Sequence, residues 1–256
     1  MSNAEAPNVV SLSGLKAACR NCSLYHLCLP LGIDADDMEE LDRIIRRRRP
    51  LRRGEYLFQP GDSFKSLYAI RSGSVKTYTP TEEGYEQVTG FHLPGELVGL
   101  DAITRECHPC AARALETTSV CEIPFERLEE LGAKIPGLQR QLLRLMSKEL
   151  LEDEQLMMLL GKKSAESRLA ALLLGISERL RQRGFSPREF NLSMSRNDIA
   201  NYLGLAVETV SRLFTRFQSD GLLTVERKHV VLLDRERLAI LARPSGGDTD
   251  QRECRP

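Results

Sequence analysis

The sequence contains no apolar run long enough to cross a bilayer. Its longest apolar runs, such as Leu169–Ile176, fall far short of the ~20 residues that a membrane-spanning helix needs. Residues 1–13 also lack the basic segment followed by an apolar stretch that marks a secretory signal. These two absences predict a cytoplasmic protein that does not enter a membrane.

The common sequence motifs of enzymes are missing as well. The chain has 4 histidines, none in an H-E-x-x-H arrangement, and it contains neither G-x4-G-K-[ST] nor G-x-S-x-G. One enzymatic hypothesis is left, a thiol oxidoreductase that uses Cys107 and Cys110. Because no other catalytic pattern supports it, we expect a protein that is not an enzyme.

The chain has no net charge, but its charges are unevenly spread. Residues 161–243 hold 15 Lys and Arg against 9 Asp and Glu, whereas residues 1–160 are acidic on balance. A basic C-terminal third suggests an anionic partner there, although solvated basic faces are common.

Glycine, proline and the hydrophobic pattern divide the chain into zones. Residues 1–33 are loop-like, and residues 51–123 read as short alternating strands separated by Gly and Pro turns. This pattern predicts a small antiparallel barrel or roll. Residues 137–161, which have no internal Pro or Gly, and residues 164–183 each predict a helix. Residues 193–243 predict two short helices followed by a hairpin.

The two short helices have the spacing of a helix-turn-helix. Ser195–Asp198 supplies a polar N-cap, and Gly204 interrupts the pattern where a tight turn needs a positive φ. A second helix is predicted over about residues 207–218. Ala200, Gly204 and Val210 let the two helices pack closely around the turn, which is typical of this motif.

The polar face of the second helix carries side chains suited to reading DNA. Arg212 can bond G O6 and N7 together, and Glu208 can accept from C N4. Ser211 shares that face, while Thr209 and Thr215 can reach phosphates. The alternative is an ordinary amphipathic helix with a solvated polar face.

A hairpin follows the second helix. Its strands are predicted at Leu222–Val225 and His229–Leu233, with a turn at Glu226–Lys228. A hairpin in this position is typical of the wing of a winged helix. Together with the basic charge and the helix spacing, it favours DNA binding.

Three cysteines close together predict a metal centre. Cys19, Cys22 and Cys28 form a C-x2-C-x5-C pattern, in which nearby thiolates can reach one centre. Three packing cysteines would need a hydrophobic core, and this polar loop offers none by sequence. A reducing cytosol also disfavours disulfides among the 7 cysteines.

The fourth ligand stays open from the residues alone. Cys107 and Cys110 form a second C-x2-C pair and are favoured by counting, Cys121 is a further candidate, and Cys254 lies in a charged tail. Spacing does not choose between zinc and an iron–sulfur cluster either.

The long helix carries a seam with coiled-coil spacing that predicts a dimer. The seam positions are Leu143, Met146, Leu150, Asp153, Met157 and Leu160. Asp153 is the one carboxylate among apolar side chains. Either it lies at a solvated edge, or two copies meet across a two-fold axis, where repulsion raises their pKa and weakens the dimer.

Four long segments resemble the FNR and Anr type of anaerobic regulator within the cyclic AMP receptor protein superfamily. The resemblance covers the chain from about Cys19 to Leu241. Its segments are Cys19–Pro30, Phe91–Gly99, Ala114–Phe125 and Asn201–Arg212.

The resemblance implies an α+β fold with a double-stranded β-roll sensor domain, a long dimerisation helix and a C-terminal winged helix-turn-helix. The expected domains are a cysteine loop at 1–33, the β-roll at 34–135, the dimerisation helix at 136–161, the DNA-binding domain at 162–243 and a flexible tail at 244–256.

The resemblance also implies a function and a cofactor. It implies a [4Fe–4S] cluster held by Cys19, Cys22, Cys28 and Cys121, with Cys107 and Cys110 unliganded. Oxygen converts such a cluster to a [2Fe–2S] form and the homodimer dissociates. DNA carrying inverted TTGAT repeats is bound only without oxygen, through Glu208, Ser211 and Arg212, and RNA polymerase is the expected protein partner. A zinc-stabilised regulator of the same superfamily that responds to another signal is the alternative.

One departure from the superfamily excludes a cyclic nucleotide as the expected effector. Nucleotide binders follow Gly-Glu-Leu, after about ten residues, with an Arg and a Ser or Thr. Here Gly95–Leu97 is present, but the corresponding end reads His108–Ala111. Without that guanidinium, a buried phosphate would be unpaired at a cost of several kcal/mol.

Overall fold

A computed structural model describes residues 19–80 and 85–243 of the chain. The helices are α1 (Ala35–Ile44), α2 (Phe125–Lys134), α3 (Pro136–Lys162), α4 (Ala165–Gln182), α5 (Arg196–Leu203), α6 (Val207–Ser219) and α7 (Arg235–Ala242). The strands are β1 (Arg46–Arg47), β2 (Tyr56–Phe58), β3 (Ser66–Ser72), β4 (Val75–Pro80), β5 (Glu86–His92), β6 (Leu97–Val98), β7 (Ala111–Ala114), β8 (Ser119–Pro124), β9 (Glu189–Asn191), β10 (Leu223–Glu226) and β11 (His229–Leu232).

The predicted roll consists of two antiparallel four-stranded sheets. Their strand orders are β1-β8-β3-β6 and β2-β7-β4-β5. Tyr68, Ile70, Val75 and Val120 are among the side chains buried between them. Gly73 connects β3 to β4 with a φ of +81°, and a Cβ there would lie 2.5 Å from the Thr117 carbonyl. The turn therefore requires glycine.

Two short helices, α1 and α2, were not predicted from the sequence. Asp34 caps α1 by accepting from the amides of Asp36 and Asp37, and Leu41 is the one fully buried side chain of this charged helix. A helix of 10 residues with one fully buried side chain is marginally stable on its own, so tertiary packing decides its formation.

The long helix is confirmed and slightly longer than predicted. α3 begins with Pro136 in its first turn and extends over 27 residues. Proline suits that position because the first amides of a helix have no intrahelical acceptor. α3 leads from the roll to the C-terminal domain.

The C-terminal domain is the predicted winged helix-turn-helix. Ser195 and Asp198 form a reciprocal capping box at the start of α5, and Gly204 ends α5 in the left-handed conformation. β9, β10 and β11 form one antiparallel sheet, in which β10 and β11 are the predicted hairpin. Together with the roll and α3, this confirms the α+β fold.

The C-terminal domain packs directly on the roll. Buried Lys76 of β4 pairs with Asp198 at 2.8 Å, and the Asn201 side chain accepts from the Val88 amide of β5 at 2.5 Å. The rings of Phe91 and Tyr202 lie 5.0 Å apart. Polar and aromatic contacts thus hold the first helix of the helix-turn-helix against β4 and β5.

The predicted tail at 244–256, with Cys254, and residues 1–18 of the predicted cysteine loop lie outside the described residues. Of the helices in the described ranges, none combines the length and apolarity of a membrane span.

Candidate functional site

Successive tight turns shape the segment that carries the first three cysteines. The Cys22 amide donates to the Cys19 carbonyl at 3.1 Å, the Tyr25 amide to Cys22 at 3.2 Å and the Cys28 amide to Tyr25 at 3.3 Å. The chain therefore coils back on itself between the cysteines. Cys121 reaches the same region from β8, where it lies opposite Ala69 of β3.

Cys19, Cys22, Cys28 and Cys121 line one small cavity of about 40 Å³. Its other walls are mainly apolar and include Leu24, Leu29, Leu41, Ile45, Ile70 and Ile123. The expectation that this loop has no hydrophobic core was wrong. Its leucines pack against α1, which follows the loop directly, and against β3 and β8, which lie far from the loop in sequence.

Burial makes three of these thiols weaker acids than a free cysteine, because it raises their pKa. Burial, then Asp42 and the neighbouring cysteines, raise the pKa of Cys19 to about 12. Burial, with Cys121 and Cys22, raises the pKa of Cys28 to about 12. Burial also raises the pKa of Cys121, although the positive charges of Arg47 and Arg71 oppose it. As free thiols these side chains are neutral near pH 7.

Charged groups surround the cavity in a defined arrangement. Asp42 accepts from the Cys19 amide at 3.2 Å and pairs with Arg47 at 2.8 Å. Arg71 lines the cavity itself. In residues 19–80 and 85–243, no three His, Cys, Asp or Glu side chains converge closely enough to hold a single metal ion. The four cysteines therefore line a cavity and do not converge on the position of one ion.

Cys107 and Cys110 do not line this cavity. Cys110 is buried and donates to Asp101 at 3.2 Å, within a different cavity between the roll and α3. Cys107 lies opposite Ser63 in an isolated antiparallel bridge. The structure thus brings together the four cysteines that the resemblance implies as ligands. It places Cys107 and Cys110, the pair favoured by counting cysteines, elsewhere.

The cysteine segment is attached to the first turns of α3. Buried Gln141 donates from Nε2 to the Cys28 carbonyl at 3.2 Å. A Cβ on Gly137 would lie 2.8 Å from the Gly32 carbonyl, so the two backbones are in close contact there. The cysteine site and the long helix therefore share an interface.

Most of the predicted seam on α3 is exposed in the single chain. Leu143, Leu150 and Met157 are 58%, 63% and 65% exposed, and Met146 and Asp153 are exposed too. Leu160 differs, because it is partly buried beside Gly204 at the helix-turn-helix.

A cavity of about 610 Å³ separates α3 from the roll and is lined by many carboxylates. They are Glu96, Asp101, Glu149, Glu152 and Asp153. Burial and these neighbours raise the pKa of Glu149 to about 7. Partial burial and Asp101 raise the pKa of Asp153. Sequence reasoning missed Glu149, whose position four residues before Asp153 on α3 was the available signal.

The polar face of α6 is exposed, as its sequence pattern predicted. Val210, Leu213, Phe214 and Phe217 bury the opposite face of the helix.

Glu208, Ser211, Arg212 and Thr215 point to the outside, and Thr209 is half-exposed. Arg212 has no polar partner in the described ranges, whereas Arg216 pairs with Glu166.

Arg168 fixes the helix-turn-helix to the end of α3. Its guanidinium donates to the carbonyls of Leu160 at 2.7 Å, Leu203 at 2.9 Å and Lys163 at 3.0 Å. These carbonyls end α3 and α5 and have no intrahelical partners. One side chain therefore joins the long helix to the turn before α6.

Comparisons with known proteins agree with this architecture. Residues 48–134 match the cyclic nucleotide-binding domain family, and residues 167–241 match the Crp-like helix-turn-helix domain family. The solved structure of FixK2 from Bradyrhizobium japonicum has a TM-score of 0.73 and 31% identity, covering 79% of this chain and 100% of that one.

Curated relatives match over nearly the whole chain. The transcriptional activator protein Anr of Pseudomonas aeruginosa is 57% identical over 227 residues, which is 89% of this chain and 93% of the relative. The fumarate and nitrate reduction regulatory protein of Escherichia coli strain K12 is 52% identical over 233 residues, with coverages of 91% and 93%. These relatives are transcriptional regulators and not enzymes. The chain therefore belongs to the Crp/Fnr family of DNA-binding transcription regulators.

Proposed function

We propose that the protein is an oxygen-responsive regulator in which Cys19, Cys22, Cys28 and Cys121 hold a [4Fe–4S] cluster. The cluster-loaded homodimer binds inverted TTGAT repeats and acts with RNA polymerase. One observation supports the proposal most strongly. Four cysteines from two segments that are distant in sequence line a single apolar cavity.

The donor set and its surroundings fit such a group. Thiolates are the usual ligands of iron–sulfur clusters, and apolar walls limit the access of water. The guanidiniums of Arg47 and Arg71 offset the negative charge of ligating thiolates. Bound there, the cluster would supply an oxygen-labile crosslink between the cysteine segment and β8.

The contacts of this segment give the cysteine site a physical route to the dimer. The Cys28 carbonyl is held by Gln141, and Gly32 lies against Gly137. A fixed cysteine segment therefore fixes the start of α3. The exposed seam farther along α3 then meets a second copy of the chain, which buries its leucines and methionines.

A cyclic nucleotide is not the signal in this proposal. The cavity between the roll and α3 is lined by carboxylates, which would repel a phosphate. The carboxylate of Glu96 in the Gly-Glu-Leu motif is already paired with Arg179 and Arg183. His108, from the segment that replaces the phosphate-binding end, is buried and stacked on Phe58 with ring centroids 3.6 Å apart.

Metal content of cysteine variants tests the ligand set. Cys121→Ser should abolish anaerobic iron and sulfide incorporation, because it removes the only ligand from β8. The double variant Cys107→Ser, Cys110→Ser is the matched control and should retain both, because neither side chain lines the cysteine cavity.

Iron loss from the double variant with retention in Cys121→Ser would contradict this ligand set. If the wild-type protein purified without air is colourless and contains bound zinc, the proposed cluster is wrong and the zinc-stabilised alternative is favoured.

A further inference from the structure

In the proposed function the Gly-Glu-Leu motif at Gly95–Leu97 has no nucleotide to bind. It forms the tight turn between β5 and β6. Gly95 adopts a φ of +92°, and its amide donates to the Ile70 carbonyl at 2.7 Å. The Glu96 amide donates to the Leu93 carbonyl at 3.1 Å. We call residues 93–97 the β5–β6 turn.

One side of this turn supports the cysteine segment. A Cβ on Gly95 would lie 3.0 Å from Leu27 Cβ and 3.8 Å from Leu24 Cβ. Both leucines lie between Cys22 and Cys28, and Gly95 also lines the cysteine cavity. A side chain at position 95 would push the segment away, so glycine permits this close approach. If the segment shifts, Gly95 loses its contacts with Leu24 and Leu27.

The other side of the turn is held by α4. Glu96 accepts from Arg179 Nε at 3.0 Å and from Arg183 Nη2 at 2.5 Å. Arg179 also donates to the Phe91 carbonyl at 2.5 Å, and Arg183 to the Pro94 carbonyl at 2.6 Å. Burial alone would raise the pKa of Glu96, but the two guanidiniums lower it to about 2. The carboxylate is therefore charged and fully paired.

These arginines belong to the DNA-binding domain. α4 shares a hydrophobic core with α5 and α6, through Leu169 and Leu173 against Ile199 and Phe214 among others. A second contact runs beside the turn, where His26 Nε2 lies 3.1 Å from the Gln182 carbonyl at the end of α4. The cysteine segment therefore contacts one side of the β5–β6 turn, and the DNA-binding domain contacts the other side.

We propose that the β5–β6 turn couples the cysteine site to the DNA-binding domain without passing through the dimer helix. Packing of Leu24 and Leu27 on Gly95 holds Glu96 in place, and Glu96 holds the C-terminal half of α4. This inference rests on the proposed function, because loss of the cluster is what releases the cysteine segment. A contiguous contact network of this kind becomes a coupling path only if one end responds to the other.

Hydrogen exchange of the α4 amides tests the coupling, measured on the full chain before and after removal of the cluster. In the wild type, exchange near residues 179–183 should rise severalfold when the cluster is lost. Glu96→Gln should exchange fast in both states, because one buried charge partner is gone. The matched control, Glu178→Gln, changes only exposed interactions, with Arg181 and Gln182, and should behave as the wild type.

A second variant acts from the far side of the turn. Leu27→Ala should also speed exchange in α4 before the cluster is removed, although the substitution lies in the cysteine segment. It keeps the ion pairs of Glu96 and therefore stays informative if Glu96→Gln fails to fold.

The iron content of the same samples distinguishes a failure of the coupling from a failure of the proposed function. Iron-loaded wild type whose α4 exchange does not change on cluster loss would overturn the coupling alone, as would slow exchange in loaded Leu27→Ala. Absence of iron from the anaerobic wild type would overturn the proposed function and the coupling with it.

Discussion

At the scale of single residues, we expect the reading of the DNA sequence to depend on Arg212. It is exposed on α6 and has no polar partner in residues 19–80 and 85–243. Arg212→Ala should weaken binding to the specific site by about 1–3 kcal/mol and affect random DNA far less, because a base contact is lost. Competition binding at fixed salt measures both affinities.

Arg216→Ala is the control for this prediction, since Arg216 lies one turn farther along α6 and is paired with Glu166. It should preserve the preference for the specific site. Equal losses on specific and random DNA in Arg212→Ala would assign Arg212 to a phosphate instead.

Glu149 gives a second prediction at the residue scale, concerning pH. Burial and the nearby carboxylates raise its pKa in the folded chain to about 7 from an ordinary value of 4.5. The folded state therefore binds a proton more readily, and the free energy of unfolding falls as pH rises through this interval. Glu149→Gln should remove this loss, worth on the order of 1–3 kcal/mol.

Urea unfolding of the cluster-free protein at about pH 5 and about pH 8 measures the effect. Glu154→Gln, an exposed change on the same helix, should leave the pH dependence unaltered. Identical pH dependence in wild type and Glu149→Gln would show that the Glu149 carboxyl is well solvated.

At the scale of elements, α3 combines an exposed apolar seam with one carboxylate. Partial burial and Asp101 already raise the pKa of Asp153 in the single chain, and a second Asp153 across a two-fold axis would raise it further. Asp153→Ala removes the charge and keeps a good helix former. The cluster-free variant should therefore dimerise in air where the wild type does not.

The pH dependence of association follows from the same pKa. The dimer favours the protonated carboxyl, so association is gained as pH falls and lost as pH rises through that pKa. Sedimentation of the wild type, Asp153→Ala and the exposed control Glu154→Ala distinguishes the outcomes. Monomers for all three would place Asp153 at a solvated edge.

Elements differ in how well their sequences predict them. α3 and α5 carry strong local signals, namely a long stretch without breakers and a capping box followed by Gly204. α1 carries one fully buried side chain, Leu41, and forms because it packs against the cysteine segment and α2. Local patterns predict an element when its own residues specify it, and they miss an element that depends on its neighbours.

At the scale of the whole molecule, the candidate site depends on long-range packing. Spacing groups Cys19, Cys22 and Cys28, but the approach of Cys121 follows from the pairing of β8 with β3, which no local pattern encodes. The resemblance to a known family was needed to select it. The pairing of Glu96 with Arg179 and Arg183 is likewise a contact between domains, and the sequence contained only its separate parts.

In the proposed function, the four cysteines hold an oxygen-labile cluster that controls DNA binding. The most direct test measures iron, sulfide and affinity for an inverted TTGAT repeat on one anaerobic preparation, before and after exposure to air. We expect about four iron and four sulfide per chain before air, with specific binding of a dimer. After air, both the iron content and the specific binding should fall together. Unchanged DNA affinity after complete loss of the iron, or specific binding by a preparation that never contained iron, would contradict this function.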